Sequence, residues 1–557
     1  MRSKGEKIYK VHGSGRKEKF IMKKKMLSLL LAVVMVASVC ACGNSKETQN
    51  QAESSETQKE TSVTVVEEEK PLYPLVDEPI TVKGVFIGTN PSDKMDRIVW
   101  NEVSELTGIN IEWEVVPADA LATYLAGGDW PDFFHGTLNS SILYDYGVLG
   151  GKFVNYLDYL DIMPNFVEAC EAYPMLGKGS VLENGEMYHL LRVDNSVTST
   201  KVKAYVDTSV LDKAGVKMPT TVEELKVALK DLKDFYGEPS FIPHIITNTQ
   251  GWSYMLYPAF GTGCNPNWDV DDNDQVYFAG MTDQMRLYYE YMNDLYEEGL
   301  IHKEFATLDA SAIKELELSG KVAFIDRAGN NVPADENGEW HITVSPVLTS
   351  QYDSTKEVMG NTYVSATSSF YINSESDYVE ELCQMIDITY ADEEVVEGSG
   401  LLGQSFIYGI EGEHWQRNAD NTYTFFIPEG YNSFNEFQKA EVMWSALGRA
   451  DALAGMVTDT PSNNQARQMG LAKEIIPYEE ENPFPVDFLT FTDDQQYIID
   501  NKWTEINTYV MQMRVEFITG VTDIETGWDT YVDTLKRMGI EEVVAVYQEA
   551  YETLMSR

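Results

Sequence analysis

A strand, a helix and a second strand follow one another within residues 80–116, and this order constrains the fold more than any other part of the sequence. Residues 80–87 alternate in polarity and run into Gly88-Thr89-Asn90-Pro91, which predicts a strand that ends in a loop. Helical spacing of apolar residues predicts a helix over 96–107, closed by Gly108, and 109–116 predicts the second strand. Two strands joined by a helix pair in parallel, so the sequence predicts an α/β lobe.

Helices dominate the rest of the pattern. Thr220 or Thr221 caps a helix predicted over 222–236, and Gly299 and Gly320 end amphipathic helices over 281–298 and 311–318. A short buried strand is predicted at 322–325, and further helices at 379–390, 493–517, 528–538 and 541–555. The length of 557 residues suits two lobes of roughly 200 residues or more. The expected fold is therefore α/β with many added helices.

The N-terminal segment predicts export. Lys23-Lys24-Lys25 precede an uncharged run over 26–41, which is typical of a signal peptide over 1–41. Sixteen residues are short of the roughly 20 that a membrane-spanning helix needs. Met22 is an alternative start, which would make 1–21 a non-native extension. Residues 44–70 are rich in Ser, Thr, Gln and Glu, so 42–75 is predicted to be a flexible tether that begins at Cys42.

The end of the apolar run, Val39-Cys40-Ala41-Cys42-Gly43, resembles a bacterial lipobox. The resemblance implies cleavage before Cys42 and a diacylglycerol on its sulfur. A plain signal peptide with cleavage nearby is the alternative. The expected location is the extracellular face of the cell membrane, with the chain held there by its lipid.

The charge excludes one large class of partner. The chain carries a net charge of −47, and from Cys42 onward 32 basic and 87 acidic residues leave −55. Such a surface repels phosphate backbones, which excludes nucleic acid, and it disfavours flat docking on anionic lipid. Cys170, Cys264 and Cys383 are odd in number and widely spaced, so they are predicted to be small buried hydrophobes.

Six stretches in order resemble one family, the large extracellular solute-binding lipoproteins of Gram-positive ABC sugar importers. They are YLAGGDWPD at 124–132, VDTSVLDKAGVKMPTTVEELKVALKDL at 206–232, YYEYMNDLYEEGLIHKEFA at 288–306, SGKVA at 319–323, GIEGEHW at 409–415, and FITG at 517–520 with the following Trp528-Asp529 and Met538-Gly539. Tyr188-His189 departs from the Tyr-Gly that is more frequent there. The acidic stretch 265–274 is also unusual, and both departures bear on the ligand.

The resemblance implies a two-lobe periplasmic-binding-protein-like fold with an interlobe cleft that closes on a carbohydrate. It implies a monomer that delivers its ligand to ABC permease subunits. The approximate lobes are 76–205 plus 320–375 and 206–319 plus 376–500, with 501–557 as C-terminal helices that pack on them. A peptide binder, a lipoprotein that serves a sensor kinase and a glycoside hydrolase are the alternatives.

Candidate ligand-binding residues come from two arguments. Loops at the carboxyl ends of strands face the cleft of an α/β lobe, and tryptophan and tyrosine rings stack on sugars. These arguments select Asn90, Asp93, Trp130, Asp132, Trp252, Tyr254, Trp268, Asp326, Arg327 and Trp444. The alternatives are a backbone cap for Asp132, a surface ion pair for Asp326 with Arg327, core packing for Trp252, Tyr254 and Trp444, and simple exposure for Trp268. Trp415 and Trp528 are assigned to packing.

Other chemistry finds little support in the sequence. Residues 269–275 place oxygen ligands at alternate positions, as a calcium loop does, but lack the glycine at the sixth place and have Gly280 at the twelfth. A hairpin turn is therefore favoured over a structural calcium ion, and no cofactor is predicted. The sequence contains no Gly-x-Ser-x-Gly elbow and no Walker loop. With 87 acidic residues, no carboxylate pair stands out for glycoside hydrolysis, and the chain is expected not to be an enzyme.

Overall fold

The strand–helix–strand unit near the N-terminus is confirmed by the computed structural model, in which β1 and β2 pair in parallel from Ile80 opposite Ile109 to Gly88 opposite Pro117. The helix between them ends at Gly108, whose φ of 79° gives the left-handed cap that a glycine favours. The structure describes residues 72–88, 97–193, 204–243, 252–326, 339–360, 363–365, 369–419, 423–442, 448–449, 456–457, 474–480 and 483–557.

The described strands are short after the first two. They are β1 Ile80–Gly88, β2 Ile109–Pro117, β3 Phe133–Gly136, β4 Arg192–Val193, β5 Ala204–Asp207, β6 Trp268–Val270, β7 Val276–Phe278, β8 Phe324–Asp326, β9 Ile342–Val344, β10 Val364–Ser365, β11 Ser369–Ile372, β12 Trp415–Arg417, β13 Tyr423–Phe425 and β14 Met456–Val457.

The described α-helices are α1 Ile98–Thr107, α2 Leu121–Ala126, α3 Ser140–Ile142, α4 Pro164–Ala172, α5 Pro174–Ser180, α6 Thr208–Ala214, α7 Val222–Tyr236, α8 Trp252–Ala259, α9 Asp283–Glu297, α10 Ala310–Leu318, α11 Val379–Asp387, α12 Ser405–Tyr408, α13 Phe434–Glu441, α14 Asp493–Ile498, α15 Thr504–Thr519, α16 Ile524–Met538 and α17 Ile540–Ser556. A π-helical turn, Ile499–Trp503, joins α14 to α15. The helix predicted over 493–517 is therefore present, and it contains one π-helical turn.

The first lobe is built on a four-stranded sheet in the order β11-β3-β1-β2. Its parallel strands alternate their side chains between two faces. Val82 and Phe133 point into one hydrophobic cluster, and Val85 and Phe134 point into the cluster on the opposite face. Together these two clusters form the first core, which takes residues from 72–193 and from 364–442, together with Phe488 and Leu554. Helices and loops therefore cover both faces of the sheet.

The second lobe has a smaller sheet and more helix. Its three-stranded sheet has β5 in the centre, paired antiparallel to β8 and to β9. Helix α7 begins at Thr221, whose side chain accepts a hydrogen bond from the Glu224 N–H, as the sequence predicts. Residues from 204–359 and from 475–551 form the second core. The C-terminal helices α15, α16 and α17 contribute most of their apolar faces to this core.

The two cores divide the chain at positions other than the predicted lobe bounds. Strand β8 lies within 320–375, which was expected in the first lobe, yet it pairs with β5 and packs in the second core. Strand β11 also lies within 320–375, and it does pack in the first core, because it pairs antiparallel with β3. Residues 376–442, expected in the second lobe, also pack there. These pairings join residues more than 100 positions apart, which local patterns do not specify.

Candidate functional site

One edge of the first sheet collects the carboxyl ends of its parallel strands. Strand β1 ends at Gly88, β2 at Pro117 and β3 at Gly136, and the antiparallel β11 begins opposite Gly136 at Ser369. In open α/β sheets, ligands bind outside the carboxyl ends of the strands. We therefore take this edge as the first lobe's contribution to the candidate site.

A buried histidine lies one residue before this edge. The His135 ring packs between Phe86, at a centroid distance of 5.5 Å, and Phe370, at 4.6 Å. The residue is fully buried. Burial lowers the pKa of His135 to about 3, so the ring is neutral. The sequence analysis missed this residue, since a lone histidine in an apolar strand gives no functional pattern.

The second lobe presents the matching edge of its own sheet. Strand β5 begins at Ala204, and the last described residue before it is Val193, which packs in the first core. Asp326, the last residue of β8, pairs with Ala204, and the Ser345 N–H donates to the Ala204 carbonyl at 2.8 Å. Ala204, Asp326 and Ser345 thus lie together at this edge of the second sheet.

Two further crossings are held together by a short ladder, which we call the hinge ladder and define as residues 358–360 and 478–480. The Val358 N–H donates to the Tyr478 carbonyl at 2.9 Å, and the Glu480 N–H donates to the Val358 carbonyl at 3.0 Å. Beyond it, the Tyr363 hydroxyl donates to the Glu479 carboxylate. After Tyr363 the chain enters β10, which pairs with β4 in the first lobe. The ladder therefore lies where the chain passes between the two cores.

Helix α17 bridges the lobes beside this ladder. Tyr547 and Tyr551 pack in the second core, whereas Leu554 packs in the first. The Lys178 ammonium donates to the Met555 carbonyl at 2.5 Å, which ties the last turn of the helix to α5. The lobes are thus joined by crossings and by one continuous helix.

Trp130 and Asp132 lie at the amino end of β3, away from the carboxyl edge where they were expected. The Asp132 carboxylate accepts from the Lys83 N–H at 2.7 Å and from the Ser376 hydroxyl at 2.6 Å. The Trp130 ring packs on Phe134 at 5.5 Å, and its N–H donates to the Leu125 carbonyl. Both side chains are used within the first lobe, so the structure does not bring them to the carboxyl edge.

Trp252, Tyr254 and Trp268 are buried in the second core. The Trp252 ring is fully buried against Phe324, at 5.2 Å, and its N–H donates to the Ile325 carbonyl at 3.1 Å. Trp268 stacks on Tyr547 at 4.0 Å. Tyr254 is 7% exposed. Each ring is enclosed by protein, which differs from the exposed stacking faces that the sequence analysis expected.

The other predicted site residues lie at or beyond the limits of the described chain. Asp326 ends β8 at the edge of the second lobe, and its backbone alone is described. Asn90, Asp93, Arg327, Trp444 and the predicted lipidation site Cys42 lie outside the described residues. The same holds for the predicted signal peptide and for most of the tether.

The stretch considered as a calcium loop is a hairpin. Strands β6 and β7 pair antiparallel, and the Asp271 carboxylate accepts from the backbone N–H groups of Asn273 and Gln275. Asp274 completes the turn with a φ of 60°. Within the described residues, no group of three or more His, Cys, Asp or Glu side chains could hold a metal ion. The structure thus supplies a turn, as the sequence favoured.

Comparison with known proteins places the fold. The model of the family of bacterial extracellular solute-binding proteins matches residues 89–394. The fructooligosaccharide ABC transporter substrate-binding protein FusA of Streptococcus pneumoniae serotype 4 is 24% identical over 552 residues, covering 94% of this chain and 97% of FusA. Lipoprotein LipO of Bacillus subtilis is 22% identical over 568 residues, covering 96% of this chain and 99% of LipO.

Solved structures show the same two-lobe architecture. FusA in complex with kestose matches with a TM-score of 0.62 at 22% identity, covering 86% of this chain and 100% of that one. An HMO-binding, ABC-transporter-associated solute-binding protein from Bifidobacterium longum infantis matches with a TM-score of 0.65 at 19% identity, covering 86% and 99%. Among the described helices, none has the length and apolar character needed to cross a membrane.

Proposed function

This chain belongs to the bacterial extracellular solute-binding proteins, and we propose that it captures a carbohydrate between its two lobes and delivers it to an ABC permease. The observation that carries the proposal is the division of one chain into two separate cores that share several crossings. Such an arrangement lets the lobes rotate about the crossings while each core stays intact. The ligand site would lie between the carboxyl edge of the first sheet and the Ala204 edge of the second.

In this mechanism, closure of the lobes signals to the permease that a ligand is bound. A ligand that contacts both lobes only in the closed state stabilises that state by its differential affinity. To move a population from 1:99 to 99:1 in favour of closure, the ligand must bind the closed state about 10⁴-fold more tightly. The hinge ladder and α17 would keep the two lobes in register during this movement.

The choice of a carbohydrate is supported by the relatives and by charge. FusA is described with fructooligosaccharides, and a solute-binding protein of Streptococcus pneumoniae with a TM-score of 0.55 is described in N-glycan transport. A net charge of −55 after Cys42 favours an uncharged guest over an anionic one. Sugars present an apolar ring face and many hydroxyls, which suit a site of aromatic and amide groups.

The finer parts of the proposal are the anchor, the partner and the absence of catalysis. The lipobox-like sequence before Cys42 supports a lipid anchor on that sulfur, and the relative LipO is named a lipoprotein. The protein would act as a monomer on the outer face of the membrane, passing its ligand to permease subunits without altering it. The alternative is that the protein presents its ligand to a membrane sensor kinase. Deletion of the permease genes distinguishes the two functions, because uptake of the ligand stops only if the protein serves an importer.

A ligand screen tests the function. The purified protein is melted in the presence of kestose, longer fructooligosaccharides, milk oligosaccharides, N-glycans and a set of short peptides. A ligand whose free concentration is 100 times its Kd raises the free energy of unfolding by about 2.7 kcal/mol, which gives a clear rise in Tm. We expect a shift with at least one saccharide and no released sugar after prolonged incubation. A response to peptides alone would contradict the substrate class, and turnover of a saccharide would contradict a binding role.

A further inference from the structure

A groove of about 590 Å³ lies on the second lobe, beside helix α7. Its lining residues come from 222–230, 287–294, 351–352 and 523–525, together with Phe260. All of these stretches belong to the part of the chain that builds the second core. A volume of this size is within the range of small-molecule sites. Because one lobe supplies every wall, the groove forms whether the lobes are open or closed. We call it the Tyr352 groove.

An exposed aromatic ring lines this groove. The Tyr352 side chain is 52% exposed. Its ring stacks on Phe260, with a centroid distance of 5.9 Å and an angle of 29° between the ring planes. Phe260 is buried and packs in turn against Tyr291 at 5.3 Å, whose hydroxyl donates to the Val222 carbonyl at 2.8 Å. One face of the Tyr352 ring is therefore supported by the lobe, and the exposed part of the ring remains available to a ligand.

Hydrogen bonds hold the loop that carries Tyr352. The Ser350 hydroxyl donates to the Ala259 carbonyl at 2.6 Å and accepts from the Tyr352 N–H at 2.9 Å. The next bond ties the loop to α7, because the Gln351 N–H donates to the Glu223 carboxylate at 3.0 Å. Groups that are fixed before binding cost a ligand less ordering entropy. The Tyr352 ring is therefore preorganised as a contact surface.

The lysines of the groove are engaged in ion pairs. The Lys226 ammonium lies 2.9 Å from the Asp294 carboxylate and 2.8 Å from that of Glu298, and the Lys230 ammonium lies 2.6 Å from Glu298. Since both lysines already face carboxylates, an anionic guest gains little from them. Paired ammonium and carboxylate groups can still donate to and accept from neutral hydroxyls. The charges therefore favour a neutral, polar guest.

The mixture of wall types narrows the class of guest further. Leu287 and Ile524 line the groove beside the carboxylates of Glu223 and Glu525. A purely apolar guest would cover these carboxylates without offering them a hydrogen bond, which is unfavourable. A sugar ring has an apolar C–H face that stacks on tyrosine and hydroxyls that bond to charged and amide groups. A saccharide thus matches both the ring and the polar walls.

We propose that the Tyr352 groove is an accessory carbohydrate-binding site, in which a sugar ring stacks on Tyr352 and its hydroxyls bond to Lys226, Asp294 and Gln351. This inference goes beyond the capture of a ligand between the lobes. Because the second lobe alone forms the groove, a saccharide binds there without lobe closure. The groove is open enough at Tyr352 for one unit of a long glycan to bind while the rest of the glycan stays in solvent.

Affinity electrophoresis of the purified protein tests this site. The probes are inulin, soluble starch, xylan and mannan, each cast into a native gel at a series of concentrations. Binding slows the protein relative to serum albumin in the same gel. We expect at least one of these polysaccharides to slow the unaltered protein. Migration that none of the four polysaccharides changes would overturn the proposal.

Variants at the ring assign the retardation to the groove. Tyr352→Ala removes the stacking surface, and we expect it to weaken polysaccharide binding at least tenfold, whereas Tyr352→Phe keeps the ring and most of the binding. Tyr497→Ala is the matched control, because Tyr497 is 69% exposed on α14 and lies outside the groove. Equal retardation of Tyr352→Ala and the unaltered protein would overturn the assignment. Gln351→Ala, at a second exposed position of the groove, should weaken binding in the same direction and does not depend on the folding of Tyr352→Ala.

The rise in Tm with short saccharides, measured on the same variants, reports separately on the proposed function. Tyr352→Ala should keep this rise while it loses retardation. Loss of both together would assign the polysaccharide to the site between the lobes and overturn the accessory site. Retardation that depends on Tyr352, without any rise in Tm, would support the accessory site and contradict the proposed function.

Discussion

Gly360 lies in the hinge ladder where no side chain fits, and Gly360→Ala tests the ladder directly. An added methyl group would lie 3.1 Å from the Glu480 carbonyl carbon and closer still to the carbonyl oxygen. Carbon atoms in normal contact lie about 3.5–4.0 Å apart, so the two strands must separate. The movement disturbs the bonds from Val358 to Tyr478 and from Glu480 to Val358, at 2.9 and 3.0 Å.

The expected magnitude follows from these contacts. Overpacking costs about 1–3 kcal/mol, and each weakened backbone hydrogen bond adds up to about 1 kcal/mol. We expect Gly360→Ala to lower the free energy of unfolding by about 2–4 kcal/mol. Urea unfolding followed by tryptophan fluorescence measures it, with the m-value checked for constancy. Saccharide affinity should fall as well, since the crossings set the relation of the lobes.

Gly177→Ala is the matched control for this prediction. Gly177 lies in helix α5 at ordinary φ, and the nearest atom to an added methyl is the Cys170 sulfur at 3.3 Å. Alanine is favoured over glycine in a helix by up to about 1 kcal/mol, which offsets the tight contact with the Cys170 side chain, so this variant should change the free energy of unfolding by less than about 1 kcal/mol. If Gly360→Ala unfolds at the same urea concentration as Gly177→Ala, the ladder does not have the close packing described.

Three further predictions concern single residues. Burial raises the pKa of Glu480 from its ordinary 4.5 to about 8, so the stability that its protonated form contributes is present below pH 4.5 and is lost as the pH rises to about 8. Glu480→Gln should therefore flatten the decline in Tm between pH 4.5 and 8, and a Tm–pH profile unchanged by the substitution would refute this. Trp252→Ala should lower the free energy of unfolding by about 3–5 kcal/mol, because it empties a fully buried position; loss of saccharide binding without loss of stability would instead favour a ligand contact. Cys42→Ser should release the protein from the membrane into the medium and abolish labelling by fatty acid, and retention with the label would refute the anchor.

Local elements were predictable because their causes lie within a few residues. The cap at Thr221 and the glycine end at Gly108 are read from adjacent positions, and the structure confirms both. The parallel pairing of β1 with β2 follows from the helix between them. The family resemblance extended this local reading to a two-lobe fold.

Long-range pairing and burial were not predictable in the same way. Strand β8 joins β5 across more than 100 residues, so the sequence near 324 does not reveal its lobe. The ring of Trp252 is core rather than cleft because Phe241 and Phe324 enclose it, which an aromatic-rich stretch alone does not specify.

Lobe closure is the central claim, and the distance between the lobes tests it most directly. Spin labels at Leu149→Cys in the first lobe and Phe235→Cys in the second use exposed positions, with Cys170→Ser as the background because Cys170 is only partly buried. Double electron–electron resonance then gives the distance distribution with and without the saccharide that raises Tm. The account predicts that saturating saccharide shifts the distribution to a new, narrower distance. An unchanged distribution at saturation would contradict the proposed mechanism of closure.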